Sequence, residues 1–479
     1  MEVAMKTASA IALMNVKIAA KVIAMAVATA IAMAVAKVIA MTAAKVIAMA
    51  TAKTHVAVIV KEIVRAIVTV KMKEEMDVSG KNNTITANEE QNKIAPNKKR
   101  NKAKRRSVQI TITENCNLNC VYCYEKQKDL RVMPLEMVKQ IMTGAFAEVE
   151  KSDKWDEIEF DFHGGEVALV FGTLKAACEW LWSEKRPKPY ICFATTNGTL
   201  IHGEIKRWFC QNKNRFHLGM SLDGTPEMQN VNRSDSYDKI DFEFFRRSWP
   251  KQGVKMTISP QTLPTLADGI KHIIGLRFEL SSNLAYGVTW DESLIPVYKN
   301  QLFELAKFYL DNPELALPNL LSMSMRITGL YNLKPERREE RHKWCGSGDA
   351  MVCYGVDGCK YPCQVFMPST HDGEQENLFE KFDFADCTNF EDEECAECVI
   401  KDACPACYGH NYIATGSLFK RPKDMCKFRM VEALAASYVQ GKMLLDYKKY
   451  KFTRDLSDYE RKVTAQGVKL VQTAFGGKV

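Results

Sequence analysis

The chain has 479 residues, 46% of them hydrophobic and 26% charged, with a formal net charge of +8 and sixteen cysteines. That length allows at least two buried cores, and cysteines gathered in clusters rather than spread along the chain exclude a disulfide framework and suit a reducing compartment. Residues 1–106 carry 19 basic and 7 acidic side chains, a surplus of 12, which leaves the remainder with a deficit of 4; a mildly acidic body argues against a nucleic-acid substrate, because phosphate binding needs basic side chains along the working surface.

Residues 1–71 form a low-complexity Ala/Val/Ile/Lys extension in which VIAM recurs after Lys21, Lys37 and Lys45 on an underlying eight-residue spacing. On a helix a period of eight drifts by about 80° per copy, so the lysines spiral round instead of keeping one face. The longest uncharged stretch, around Val22 to Ala36, falls short of the roughly 18 apolar residues of a membrane span, and no membrane association is expected. A secretory signal is disfavoured for want of the charged, apolar and cleavage-site order. An organelle-type extension stays open, although no arginine precedes Arg65. The expected reading is an expanded repeat or an upstream start codon, with Met72 or Met76 as internal alternatives, and its valine and isoleucine density is an aggregation hazard. Residues 72–106 read as a polar linker ending in the basic run NKKRNKAKRR, solvated or attracting an acidic leader peptide.

From Ser107 to Thr113, Val108, Ile110 and Ile112 alternate with polar residues, which predicts a half-buried strand. It runs into CNLNCVYC, where Cys116, Cys120 and Cys123 stand three and two residues apart. Such a loop can wrap three thiolates round one face of a four-iron cluster, leaving one iron open; a zinc site would usually show paired CxxC units closing four ligands. A helix is expected from Pro134, with proline in the first turn. Ile158, Phe160 and Phe162 alternate again up to HGGE, whose Gly164 and Gly165 allow close backbone approach to a ligand, or a plain turn. Three further strand-like runs close on Asn197, on Ser221 and Asp223, and on Ser259. Repeated strand, loop and helix predict parallel strands with functional loops at one end, although each of these polar residues also suits a helix cap.

Ten of the sixteen cysteines lie between Cys345 and Cys426. The CxxC pairs there fit structural zinc by spacing as well as iron, and the upstream loop makes iron the consistent choice. Cys178, Cys192 and Cys210 are scattered and read as small hydrophobes. After Cys426 an alanine-rich, apolar-periodic segment predicts a helix.

CxxxCxxC with an aromatic before its last cysteine, here Tyr122, resembles the signature of radical S-adenosylmethionine enzymes. The resemblance implies a partial (β/α)6 TIM-like barrel, an α/β fold, over residues 107–330. It implies a four-iron, four-sulfide (4Fe-4S) cluster on Cys116, Cys120 and Cys123 whose open iron chelates S-adenosylmethionine, so that one electron cleaves the sulfur to carbon-5′ bond and the resulting radical removes a hydrogen atom. Gly164, Gly165 and Glu166 would lie at the aminocarboxylate end of that cofactor, and Tyr122, Asn197, Ser221 and Asp223 near its ribose or the substrate. The second field resembles the SPASM extension of peptide- and protein-modifying radical enzymes, a small cysteine-rich iron-sulfur domain placed at 331–430, with a helical tail at 431–479. Mapped by order, Cys345, Cys363 and Cys407 would hold a first auxiliary cluster with Cys353 or Cys359 as fourth ligand, and Cys395, Cys398, Cys404 and Cys426 a second. Cys404 and Cys407 are two residues apart where the common pattern has three.

The resemblance implies a cytoplasmic enzyme that modifies a peptide or protein side chain, fed by a flavodoxin- or ferredoxin-type reductant. Cross-linking of a ribosomal peptide is the leading expectation. The runner-up, a sulfatase-maturating enzyme, would carry an aspartate after the cysteine matching Cys363; this chain has Gln364, which takes no proton near neutral pH. An iron-sulfur electron carrier is the non-enzymatic alternative, but it has no need of HGGE and SLDG loops at strand ends. A tRNA-modifying enzyme is disfavoured by the acidic body.

Overall fold

The computed structural model describes residues 104–321, 345–370, 382–384, 395, 397–401, 403–404, 407–446, 449–450 and 456–477. The N-terminal repeat, most of the basic linker and Cys387 lie outside the described residues.

Six strands follow one another with helices between them. They are β1 (Arg105–Thr113), β2 (Glu157–Gly164), β3 (Tyr190–Thr196), β4 (Phe216–Met220), β5 (Val254–Ile258) and β6 (Leu280–Leu284). β1 to β4 pair in parallel in chain order. β5 and β6 form a second parallel pair, joined to the end of β4 by a parallel bridge between Ser221 and Lys255. This is the expected partial barrel. Helices α1 (Leu135–Glu150), α2 (Phe171–Trp182) and α3 (Gly203–Asn212) cover one face of the sheet. On that face Val108, Ile110, Ile112, Ile158, Phe160 and Phe162 are fully buried against Val138, Met142, Leu174 and Leu181. The strand period of two turns the intervening residues, among them Gln109, Thr111, Asp161 and His163, to the opposite, inner face.

Short α4 (Pro226–Asn232) follows β4 and is capped by Thr225, whose side chain accepts from Met228 N. α5 (Phe242–Ser248), α6 (Leu266–Gly275) and α7 (Leu294–Asp311) complete the barrel helices.

The sheet also takes a strand from the segment expected to lie in the auxiliary domain. β7 (Met351–Tyr354) pairs in parallel with β1, Ser107 opposite Met351 and Ile110 opposite Tyr354. Its hairpin partner β8 (Lys360–Tyr361) lies beyond it, giving the order β4-β3-β2-β1-β7-β8. Four residues containing a cysteine carry no readable alternation, so this strand leaves no mark in the sequence pattern.

The cysteine-rich segment then forms α8 (Tyr408–Thr415), and α9 (Cys426–Leu445) follows, beginning at Cys426. α9 packs on α7 through Phe428, whose ring centroid lies 5.1 Å from that of Trp290 and 5.5 Å from that of Tyr298, while Tyr298 Oη donates to Glu432 Oε1 at 2.9 Å. α10 (Asp458–Phe475) starts from a capping box of Ser457 and Glu460 and buries Val471 and Phe475 against Ala433, Leu434 and Ala436 of α9. Among the described residues, no helix is long and apolar enough to cross a membrane.

Candidate functional site

Cys116, Cys120 and Cys123 are free thiols, half-buried on the loop that leaves β1. Neighbouring strand ends fasten that loop. Tyr122 Oη donates to Asp223 Oδ2 at 2.5 Å, Val121 N to the Asn232 carbonyl at 3.0 Å and Asn119 N to Ser234 Oγ at 3.0 Å. Asn117 Nδ2 donates to Thr199 Oγ1 and its Oδ1 accepts from Asn197 Nδ2, both at 2.9 Å. Asp223 is fully buried and also accepts from Arg233 Nε at 2.9 Å, Asn232 Nδ2 at 3.1 Å and Thr257 N at 2.9 Å. The Arg233 guanidinium lies over the Tyr122 ring, 5.3 Å from its centroid. Asp223 thus ties the cysteine loop to β4, α4 and β5 at once.

The glycines of HGGE make their close approach to backbone. A β-carbon on Gly164, whose φ is +152°, would lie 2.2 Å from the Thr113 carbonyl oxygen, and one on Gly165 2.4 Å from that of Asn115. Gly165 N donates to Thr113 O at 3.1 Å and Glu166 N to Asn115 O at 2.9 Å. The end of β2 is therefore clamped to the root of the cysteine loop. Glu166 is buried, and its carboxylate accepts from Thr196 Oγ1 at 2.7 Å, Asn197 N at 2.8 Å and Ala168 N at 3.0 Å. Burial raises its pKa above the usual carboxylate range against the pull of these bonds. Ser221 sits in the bridge from β4 to β5, its N–H donating to the Thr196 carbonyl at 3.0 Å.

Burial pushes all three loop thiols up, Cys120 to about 11. Lys128 works against this at Cys116 and Cys123, and Arg233 at Cys120. Lys128 Nζ donates to the Leu118 carbonyl at 3.2 Å, inside the loop. Three free soft thiols with two cations to offset thiolate charge fit an iron-sulfur group, whose assembly would release the thiol protons. Among the described residues, no three His, Cys, Asp or Glu side chains are placed to share a single metal ion. Lys128 and Arg233 are absent from the sequence expectations. Lys128, a cation five residues past the last thiol, was discoverable from charge alone; Arg233 is ten residues from Asp223 and carried no signal.

On the inner face, Gln109 Nε2 donates to Asp161 Oδ2 at 3.2 Å, and Tyr124 Oη lies 3.5 Å from His163 Nε2. Desolvation raises Asp161 to about 6 against the pull of Lys255 and Gln109, and lowers His163 to about 4. Gln109 Oε1, His163 Nδ1, Thr195 Oγ1 and Gln364 Oε1 are buried without a hydrogen-bond partner.

In the second field, Cys395, Cys398, Cys404, Cys407 and Cys426 line one pocket together with Tyr286, His410 and Arg429. Cys345 is exposed and Cys363 buried, and Cys353 is fully buried in β7 with Sγ 3.6 Å from Thr111 Oγ1. Cys359 is exposed in the turn between β7 and β8.

No protein-family model matches the chain. It is 30% identical over 139 residues to a cysteine-type anaerobic sulfatase-maturating enzyme of Clostridium novyi, a match covering 27% of this chain and 35% of that one. It is 29% identical over 133 residues to the Clostridium perfringens enzyme of the same description, covering 26% and 34%. Among solved structures, native anSMEcpe with bound AdoMet superposes with a TM-score of 0.54 at 18% identity, over 71% of this chain and 99% of that one. Over the matched stretches the chain is similar to anaerobic sulfatase-maturating enzymes. It spans about a third of the length of the two curated relatives, and the structural likeness establishes the shared α/β fold.

Proposed function

We propose that this protein is a radical S-adenosylmethionine maturase that abstracts a hydrogen atom from a peptide or protein side chain. The observation that carries the reading is the loop of Cys116, Cys120 and Cys123, held at three strand ends by Glu166 N, Asn197 and Asp223 and flanked by Lys128 and Arg233. When bound, a reduced 4Fe-4S cluster and S-adenosylmethionine supply a carbon-centred radical. The chain's own part is placement. Asp223 fixes the ring of Tyr122 beside the thiols, and the clamp of Gly164 to Glu166 on the loop root brings the end of β2 to the same edge, where we assign the S-adenosylmethionine site with Asn197 and Ser221. The inner face supplies a carboxylate at neutral pH, Asp161, and a neutral imidazole, His163.

A peptide substrate is favoured by a second likeness, to native anSMEcpe with bound AdoMet and Cp18Cys peptide, at a TM-score of 0.52 over 72% of this chain. Cross-linking of a ribosomal peptide is the leading modification. The sulfatase-maturating alternative is favoured by the relatives and opposed by Gln364, whose side chain cannot act as the base for a substrate thiol. Electrons would come from a flavodoxin- or ferredoxin-type partner.

The test is anaerobic purification of the full chain, reconstitution with iron and sulfide, and assay of reductant-dependent 5′-deoxyadenosine beside a variant with Cys116, Cys120 and Cys123 all changed to Ala. About twelve irons, falling to about eight in the variant with loss of 5′-deoxyadenosine, is the expected result for one catalytic and two auxiliary clusters. Bound zinc, or iron without cleavage of S-adenosylmethionine, would refute the reading. Formylglycine from a cysteine peptide would select sulfatase maturation over cross-linking.

A further inference from the structure

Three cysteines of the second field converge from separate segments. Gly348 N donates to the Pro362 carbonyl at 2.9 Å, tying the turn that follows Cys345 to the residue before Cys363. The turn Gln364–Phe366 packs on the start of α8 so tightly that a β-carbon on Gly409 would lie 2.7 Å from Val365 Cγ1, and Cys407 is the N-cap of that helix. Cys363 accordingly lies in the field of Cys407 and Cys345, and Cys407 in that of Cys345. A cubane cluster takes four ligands; Cys387 lies outside the described residues, and the two spare cysteines that are described have other surroundings. Cys353 Sγ is held on the inner face of the sheet by Thr111 Oγ1 and by Met367 Sδ at 3.8 Å. Cys359 sits in its own turn, where its N–H donates to Asp357 Oδ1 at 2.9 Å.

Among the described residues, His410 is placed to complete the set. It lies three residues past Cys407 in the first turn of α8, a spacing that sets two side chains on one helix face. Its ring stacks on Tyr286 with centroids 4.3 Å apart and planes at 29°, and Tyr286 itself feels Cys407 and Cys345. Both ring nitrogens of His410 are buried without a hydrogen-bond partner. Buried polar atoms are nearly always paired, so two such orphans on a ring lining a thiol pocket mark a ligand position. The other four thiols that line the pocket, Cys395, Cys398, Cys404 and Cys426, are those expected to hold the second cluster.

We propose that His410 is a nitrogen ligand of the first auxiliary cluster, completing the set of Cys345, Cys363 and Cys407. This rests on the iron-sulfur reading above. Replacing thiolate by imidazole removes a negative charge from the cluster and raises its potential, as histidine ligation does in two-iron centres.

The test uses the full chain with Cys116, Cys120 and Cys123 changed to Ala, so that only auxiliary clusters remain, reduced and examined by electron-nuclear double resonance. Expected are about eight irons and a strong nitrogen-14 coupling that becomes nitrogen-15 on histidine labelling and disappears in His410→Ala. His410→Cys should keep the iron, lose the coupling and show a lower midpoint potential, which separates ligand exchange from misfolding. Cys353→Ala should leave the spectrum unchanged. Eight irons without histidine coupling, or loss of the cluster in Cys353→Ala, would overturn the ligand assignment alone. Absence of iron in the triple variant would overturn the auxiliary-cluster reading and the ligand with it.

Discussion

Asp161→Asn should make the protein more stable at neutral pH. The wild-type carboxyl is raised from 3.8 to about 6, first by desolvation, against the opposing pull of Lys255 and Gln109. A carboxyl raised in the folded state binds its proton more tightly there than in the unfolded chain. Its penalty is therefore absent below about pH 4, grows as pH rises, and is complete above about pH 6. At about 1.4 kcal/mol per pH unit, the full penalty is about 3 kcal/mol. Part of the side chain reaches the open inner face, so water screens it and about 1 to 3 kcal/mol is the expected gain. Asparagine keeps an acceptor for Gln109 Nε2 and offers a donor to the orphaned Gln109 Oε1. Anaerobic urea unfolding of both proteins from pH 5 to 7.5 measures the difference, in which His163 and His410, both lowered to about 4 and hence acting in the opposite sense, cancel. The gain should grow from pH 5 through about pH 6 and then level off. A variant no more stable than wild type at pH 7.5, or a difference flat with pH, would refute the reasoning.

Gly164→Ala should yield insoluble protein, because φ of +152° and a 2.2 Å contact with the Thr113 carbonyl leave no room for a methyl group; soluble yield and iron content report it. Asp223→Asn should cost about 3 to 5 kcal/mol in urea unfolding by leaving the buried Arg233 guanidinium uncompensated. Lys128→Gln should retain iron and make the midpoint potential of the catalytic cluster more negative, since the lost cation favours the reduced, more negative state; an anaerobic redox titration followed by electron paramagnetic resonance decides it.

Much of the barrel was legible because its strands alternate strictly. Val108, Ile110, Ile112, Ile158, Phe160 and Phe162 fill the core under the helices, but β1 is not the half-buried strand expected, since Gln109 and Thr111 on its inner face are buried as well; the functional loops stand where those runs stop. The sheet order was not legible, since β7 has four residues and its pairing with β1 depends on tertiary geometry. The site was read through ligand chemistry, whereas the structure shows how much of it is joinery. Asn197 and Asp223 are expected near cofactor or substrate, and in this structure their side chains also bind Asn117, Tyr122 and Arg233. Such partners lie 80 and 101 residues apart in the first two cases, a distance at which residue type alone carries no pairing information. Gln364 was legible as a departure after Cys363; that its Oε1 is buried without a partner was not.

The pairing of β1 with β7 has a consequence for synthesis. β1 is complete at Thr113, but the strand that covers its free edge ends at Tyr354, roughly 240 residues later. At ribosomal rates of about 5 to 20 residues per second, that edge waits roughly 12 to 50 seconds for its partner. An uncovered edge of alternating valine and isoleucine is a template for pairing with another nascent chain. Overproduction should therefore be limited by chaperone supply and slow translation more than by the stability of the finished fold, and shortening the chain before Met351 would leave the edge uncovered for good.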